Sequence, residues 1–249
     1  MLRSTLVMCK RCHNEMEEIV KSKIGLSAAL ACVLVASSWA PAALLSWDFG
    51  TSNGTAVTFA STVNDPGIAA AALVRGSGFG ADEVYVDNTR GAFNTNSGST
   101  FNDLAASVAG NAFIQLAMVI DPSSTASVSS VSGFAYSQNR VRSFEVLYSF
   151  DGFATAGASA GSFGVAEDFG GNAFLLDTSG VGALQGVSGT VTMRLHLLDV
   201  TGGGFEMRGL GQKAGDSVDL AINGVVAVIP EPAALGLLAP AMLLLARRR

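Results

Sequence analysis

The 249-residue chain predicts an all-β fold, an antiparallel β-sandwich of jelly-roll type spanning residues 43–229. Apolar side chains there recur with the two-residue period of half-buried strands. Gly, Asn, Asp and Ser clusters separate the apolar stretches, as turns between short strands require. Roughly ten such strands without a fixed-period repeat point to a sandwich and away from a propeller or solenoid.

In chain order the strands fall at Leu45–Phe49, Ala56–Ala60, Ala70–Arg75, Glu83–Asp87, Ala112–Ile120, Val128–Ser137, Ser143–Phe150, Ala173–Leu176, Thr190–Leu197, Phe205–Leu210 and Val218–Val228. Two show the alternation most clearly. Phe144, Val146, Tyr148 and Phe150 alternate with Ser143, Glu145, Leu147 and Ser149. Val191, Met193, Leu195 and Leu197 alternate with Thr190, Thr192, Arg194 and His196. Punctuation lies at Thr51-Ser52-Asn53-Gly54, at Asp151-Gly152 and at Asp199-Val200-Thr201-Gly202-Gly203-Gly204. Phe101–Ala109 predicts the one short helix, capped by Thr100 or Asn102.

Residues 1–42 read as a leader. Ile24 to Ala36 is a run of apolar and small residues behind Lys21 and Lys23, followed by Ala40-Pro41-Ala42. Charge, apolar core and small-residue site in that order make a secretory signal peptide cleaved after Ala42, with Ala40 and Ala42 as the recognised small residues. Glu15, Glu17 and Glu18 stand where basic charge belongs, so initiation is expected at Met16 or near Val20. Cys9-Lys10-Arg11-Cys12-His13 matches the c-type haem pattern C-x-x-C-H. It lies upstream of the signal core and is expected to leave with it. The remaining cysteine, Cys32, is inside the apolar leader. The exported domain is thus expected to hold together through its apolar core and not through disulfides.

From Leu44 to Ile229 there are 16 Asp and Glu against 7 Lys and Arg, a net charge of −9. That balance argues against nucleic acid and anionic lipid as partners, since both need clustered positive charge. Three catalytic or ligand motifs are present in outline. Gly157-Ala158-Ser159-Ala160-Gly161 matches G-x-S-x-G, with Asp168 or Asp177 and then His196 following in hydrolase order. The motif needs a strand–turn–helix elbow, and nothing after Gly161 is helical, so a flexible loop is expected. His196 is predicted to be a lone histidine facing solvent or the second face of the sandwich. Gly76-Ser77-Gly78 with Ala81 resembles a phosphate loop but leads into a strand, so it predicts a turn. The chain is therefore expected not to be an enzyme.

Transition-metal ligands are lacking in the domain, and no metal site is assigned. A structural calcium ion is the one cofactor to consider, at Asp82, Glu83, Asp87 and Asn88 or at Asp216 and Asp219. No exposed aromatic of the kind a sugar face needs can be picked out; Trp47 and most Phe residues are expected to point inward.

The last twenty residues differ in kind. Val228-Ile229-Pro230-Glu231-Pro232 forces an extended linker, because the prolines deny helix there. Ala233 to Ala246 forms an apolar helix of about 21 Å, short against a hydrocarbon core of roughly 30 Å. Arg247, Arg248 and Arg249 hold that end on the cytoplasmic side. Together Pro230, Glu231, Pro232, the apolar run and the arginines resemble the PEP-CTERM sorting signal of bacterial exported proteins. The resemblance implies processing near Pro230–Pro232 by an exosortase-type membrane enzyme, after passage through the export translocon and a transient hold in the inner membrane. It also implies residence at the cell surface or in the extracellular matrix, in association with exopolysaccharide or biofilm.

The domain is similar to the β-sandwich ectodomains that precede such tails, and to galactose-binding-like and carbohydrate-binding sandwiches. The similarity lies in Ser46-Trp47-Asp48-Phe49-Gly50, in Arg142 to Gly152 and in Gly203 to Arg208. Arg208-Gly209-Leu210 replaces the acidic residue and amide of that pattern, so no ligand set carries over. A carbohydrate-binding module is the alternative function, and a secreted hydrolase the weaker one.

Overall fold

The structure, a computed structural model, describes residues 42–50, 53–54, 56–69, 71–79, 92–94, 101–137, 142–166, 168–199, 208–211 and 218–229. All belong to the unit Pro41–Arg249. The strands are β1 (Ala42–Trp47), β2 (Asn53–Gly54), β3 (Thr58–Ala60), β4 (Val63–Asn64), β5 (Ala72–Arg75), β6 (Ala92–Asn94), β7 (Phe113–Val119), β8 (Ser124–Ser137), β9 (Arg142–Ser149), β10 (Ala158–Val165), β11 (Asp168–Asp177), β12 (Thr190–Asp199), β13 (Arg208–Leu210) and β14 (Leu220–Val228). Among the described residues one α-helix, α1 (Leu104–Ala109), precedes β7, and a 3₁₀ turn at Gly182–Leu184 precedes β12.

The strands form two sheets. The first runs β2-β6-β13-β8-β14-β1-β4, with β11 off this path and paired with Ser130–Ser137 of long β8. The second runs β10-β9-β12-β7-β5-β3. Among the described residues pairing is antiparallel except between the two-residue β2 and β6. Successive strands mostly alternate between sheets, so contacts are long-range in sequence and the sheets close on a shared core. The β-sandwich architecture predicted from the alternation is the one observed.

The core draws on both sheets. Leu44, Leu45, Trp47, Val128, Val131, Leu220 and Ile222 come from the first, and Leu73, Ile114, Leu116, Met118, Val146, Met193 and Leu195 from the second. Each is withdrawn from water, contributing about 1.5–3 kcal/mol per large apolar side chain. One flank is closed by aromatics. Phe144 of β9 stacks on Phe163 of β10 at 5.3 Å, and Phe163 stacks on Phe174 of β11 at 3.9 Å, which carries the contact between sheets.

Glycines sit where strands approach closely. A Cβ on Gly224 would lie 2.0 Å from the Ser127 carbonyl oxygen, at the bulge where the β14–β8 register shifts. Gly76 and Gly78 lie against the backbone of residues 110–112, and Gly76 N donates to Phe113 O at 2.8 Å. That segment is a close-packed turn, as its sequence predicts, while Ala81 lies outside the described residues.

Three local expectations change. The Gly157–Gly161 motif, expected to be a flexible loop, runs into β10 (Ala158–Val165), which pairs with β9 from Tyr148 to Arg142. The helix cap is Asp103, whose Oδ1 accepts from Ala106 N at 2.8 Å, and not Asn102 or Thr100. Phe150 does not point inward with Phe144 and Tyr148. β9 ends at Ser149, the alternation lapses, and the ring is 51% exposed.

Candidate ligand-binding face

Arg194 and His196 lie on the side of β12 opposite Met193, Leu195 and Leu197, on the outer face of the second sheet. His196 was expected to meet solvent or a second face; instead it is only 1% exposed. The reason is α1, which packs over this end of β12. Ser107 of α1 is buried and donates its hydroxyl proton to Ala112 O at 3.0 Å. Its oxygen is left to accept from His196 Nδ1 at 3.3 Å, so Nδ1 carries the imidazole proton. Phe113 packs on the ring with centroids 5.5 Å apart. Burial, and secondarily the nearby Arg194 charge, push the His196 pKa down to about 4, leaving the ring neutral near pH 7. A serine does pair with this histidine, contrary to expectation. Its proton is committed to a carbonyl, however, and neither group reaches solvent, so the pair ties α1 to the sheet.

The residues of the hydrolase pattern are dispersed. Ser159 is exposed on β10, hydrogen-bonded to the Glu145 carboxylate and accepting from Gly161 N at 3.0 Å. It stands opposite Leu147 of β9, and Leu147 stands opposite Arg194 of β12, so a whole strand separates Ser159 from the strand of His196. Two strand spacings are roughly 10 Å. Asp177 ends β11 in the other sheet and accepts from Ser179 N at 2.8 Å; Asp168 begins the same strand. The Ser179 hydroxyl and backbone contacts hold Asp177 below the usual carboxylate range. Ser159, Asp177 and His196 each bond to other partners and not to one another.

Of the acidic residues considered for calcium, the structure describes Asp219. It is buried, and its Oδ2 accepts from Phe49 N at 2.5 Å while its backbone N donates to Trp47 O at 2.8 Å. Those bonds seat the end of β1 against the start of β14. Asp82, Glu83, Asp87, Asn88 and Asp216 lie outside the described residues, as do Cys9, Cys12, His13, Cys32, Ala40, Pro230, Glu231, Pro232, Arg247, Arg248 and Arg249. Among the described residues no group of three metal-ligating side chains occurs. Ala42 is the first residue of β1, paired with Gly224.

Among the described residues a dense network of polar bonds folds the loop at Asp151-Gly152, whose sequence predicts a simple turn. Ser149 Oγ accepts from Asp151 N at 3.1 Å and Phe153 N at 3.0 Å, and donates to Asp151 Oδ1 at 2.5 Å. Asp151 Oδ2 accepts from Thr155 N at 3.1 Å and from Thr155 Oγ1 at 2.6 Å. These bonds, Ser149 first and then Thr155, lower the Asp151 pKa to about 2. They fold the chain through Gly152 at φ 70° and Phe153 at φ 66°. For a bulky residue such as Phe153 that left-handed conformation is an outlier. Gly157 accommodates the ring: a Cβ there would stand 2.3 Å from Phe153 Cε1.

The loop places Phe153 against Arg194. The guanidinium carbon lies 4.2 Å from the centroid of Phe153 and 4.2 Å from that of Phe113. Nε donates to Gln115 Oε1 at 2.7 Å. Half-burial lowers the Arg194 pKa through desolvation, yet the group remains a cation. Among the described residues no carboxylate forms an ion pair with it. The same loop also borders a shallow cleft of about 400 Å³, lined by Tyr148, Phe150, Thr155 and Ala183 among others. Phe150 meets Tyr148 edge-on at 5.8 Å, so an exposed aromatic is present after all. The signal for this site was Ser149-Phe150-Asp151-Gly152-Phe153: a turn pair bracketed by aromatics, with Gly157 after it.

No protein family, no curated protein and no solved structure matches this chain.

Proposed function

We propose that this chain is an exported, non-enzymatic surface or matrix protein. Its leader, residues 1–42, is removed during export, and residues 43–229 form the ectodomain. Residues 230–249 are a sorting tail processed by an exosortase-type membrane enzyme. Within the sandwich we assign a jelly-roll, galactose-binding-like topology, supported by the repeated crossing of the chain between sheets. The protein is held briefly at the inner membrane and then resides at the cell surface or in the matrix, associated with exopolysaccharide or biofilm.

The observation that carries this reading is the ordered tail: Pro230-Glu231-Pro232, an apolar run too short for durable residence, then Arg247 to Arg249. The described strands run from Ala42 to Val228, which supports residues 43–229 as the ectodomain. Ser159, Asp177 and His196 stand on three different strands, so the weaker hydrolase reading has no triad in these residues.

Truncation from Pro230 tests the tail. The truncated protein is expected free in the medium; localisation and processing like the intact chain would remove the sorting role. Intact mass of protein recovered from producing cells reports both cleavages and any attachment at the new end. The exposed Phe150 beside its cleft favours carbohydrate binding as a second reading, which polysaccharide pull-down tests directly.

A further inference from the structure

We infer that Arg194 anchors a carboxylate-binding site on the outer face of the second sheet, whose ligand is a uronic acid unit of an acidic polysaccharide. The assignment of a polysaccharide source rests on the matrix reading above; the assignment of a carboxylate rests on the geometry.

Two aromatic rings and the Gln115 side chain hold Arg194 in one orientation, and Gln115 occupies Nε. What remains for a ligand is the terminal pair, Nη1 and Nη2, a planar fork matched to the two oxygens of a carboxylate. Ordering that side chain has already been done by the protein, so little of its rotamer entropy is lost on binding. The guanidinium is half-buried and the domain carries a net charge of −9, yet no acidic side chain pairs with it among the described residues. Among the described residues this desolvated cation therefore has no charge partner.

The second observation is the supporting loop. Phe153 sits in a left-handed conformation with its N–H donating to Ser149 Oγ, between Asp151 and the Thr155 that donates to it, and Gly157 leaves room for its ring. Such strain persists where surrounding structure over-determines it, and here its product is the placement of a ring on Arg194. A third group suits a sugar. Glu145 is diagonal to Arg194 across the β9–β12 pair, because Leu147 is the residue directly opposite Arg194. Diagonal positions are about 7–8 Å apart. A hexuronate offers a carboxylate to the cation at one end and hydroxyl donors to the Glu145 carboxylate at the other. Because the domain is acidic overall, diffuse charge attraction cannot retain such a polymer; binding depends on this one fork.

The test is calorimetric titration of the full-length chain with oligogalacturonate, its fully methyl-esterified form, and acetate. Oligogalacturonate is expected to bind, and esterification to weaken binding at least tenfold. Arg194→Gln is expected to weaken it at least tenfold. Arg194→Lys keeps the charge but lacks the fork and is expected to weaken it severalfold, with melting temperature confirming a folded domain. Phe153→Ala, which removes a ring without touching the charge, is expected to give an intermediate loss. Absence of oligogalacturonate binding, equal binding of the ester, or undiminished binding by Arg194→Gln overturns the proposal. Acetate binding as tight as that of oligogalacturonate overturns the sugar assignment. Secretion and processing play no part in this readout, so its failure leaves the sorting reading standing, and a tail with no sorting role leaves this result intact.

Discussion

Arg194 and His196 stand two residues apart on the same face of the same strand, and their fates differ. His196 lies under α1, bonded to Ser107, neutral and closed to solvent. Arg194 lies beyond the helix, flanked by rings yet half-open, and keeps its charge. The strand period places both outward. What separates a structural tie from a candidate binding group is the element above each: six residues of helix over one, a strained loop beside the other.

The largest effect that would break this contrast is protonation of His196. Its folded pKa is depressed to about 4 from 6.5, so the unfolded chain takes up the proton first as pH falls. The stabilisation is complete above about pH 6.5 and is lost as pH falls toward 4, on the order of 3 kcal/mol. Denaturant titrations at pH 7 and pH 4.5 are expected to show most of that loss, and His196→Leu to flatten the slope across this window. An unchanged slope in the variant would deny the histidine its buried, neutral role.

Next in size is Gly157→Ala. The added methyl meets Phe153 Cε1 at 2.3 Å and Tyr148 O at 2.9 Å, so the loop must shift. A cost of about 1–3 kcal/mol is expected, read as a lower melting temperature, together with loss of the Arg194 contact. Asp103→Ala removes the α1 cap and is expected to cost about 1 kcal/mol. It also sharpens the comparison, because loosening α1 should raise the His196 pKa toward 6.5 while leaving Arg194 unaffected, as NMR titration would register. The smallest effect lies at Asp151. Its pKa is depressed to about 2, so its contribution is present above about pH 4 and lost as pH falls toward 2. Asp151→Asn is expected to remove that acid sensitivity, below the histidine window, when melting temperature is followed from pH 4 to 2.

Strands such as β9 and β12 were legible because burial of one face imposes the period on the residues that occupy it. Thr190–Leu197 and Ser143–Ser149 carry that period in their own side chains. β10 was not legible: Ala-Ser-Ala-Gly-Ser is weak in strand formers and rich in small residues, and it becomes a strand by pairing with β9. Burial of His196 was hidden for a related reason, since Ser107 lies 89 residues earlier in the chain. Phe150 and Phe153 defeated simple alternation because the strand ends at Ser149 and a side-chain hydrogen-bond network takes over the backbone.

Composition and order along the chain establish the two-residue period, the acidic balance, the apolar run behind Lys21 and Lys23 and the sequence Pro-Glu-Pro, apolar run, arginines at residues 230–249, because each is a local property that needs no partner to exist. Which outward residue is covered, which cation keeps an open edge and which motif residues meet depend on segments distant in sequence. Those outcomes come from packing between strands, helix and loop, where a neighbour's shape and desolvation fix what a side chain can do.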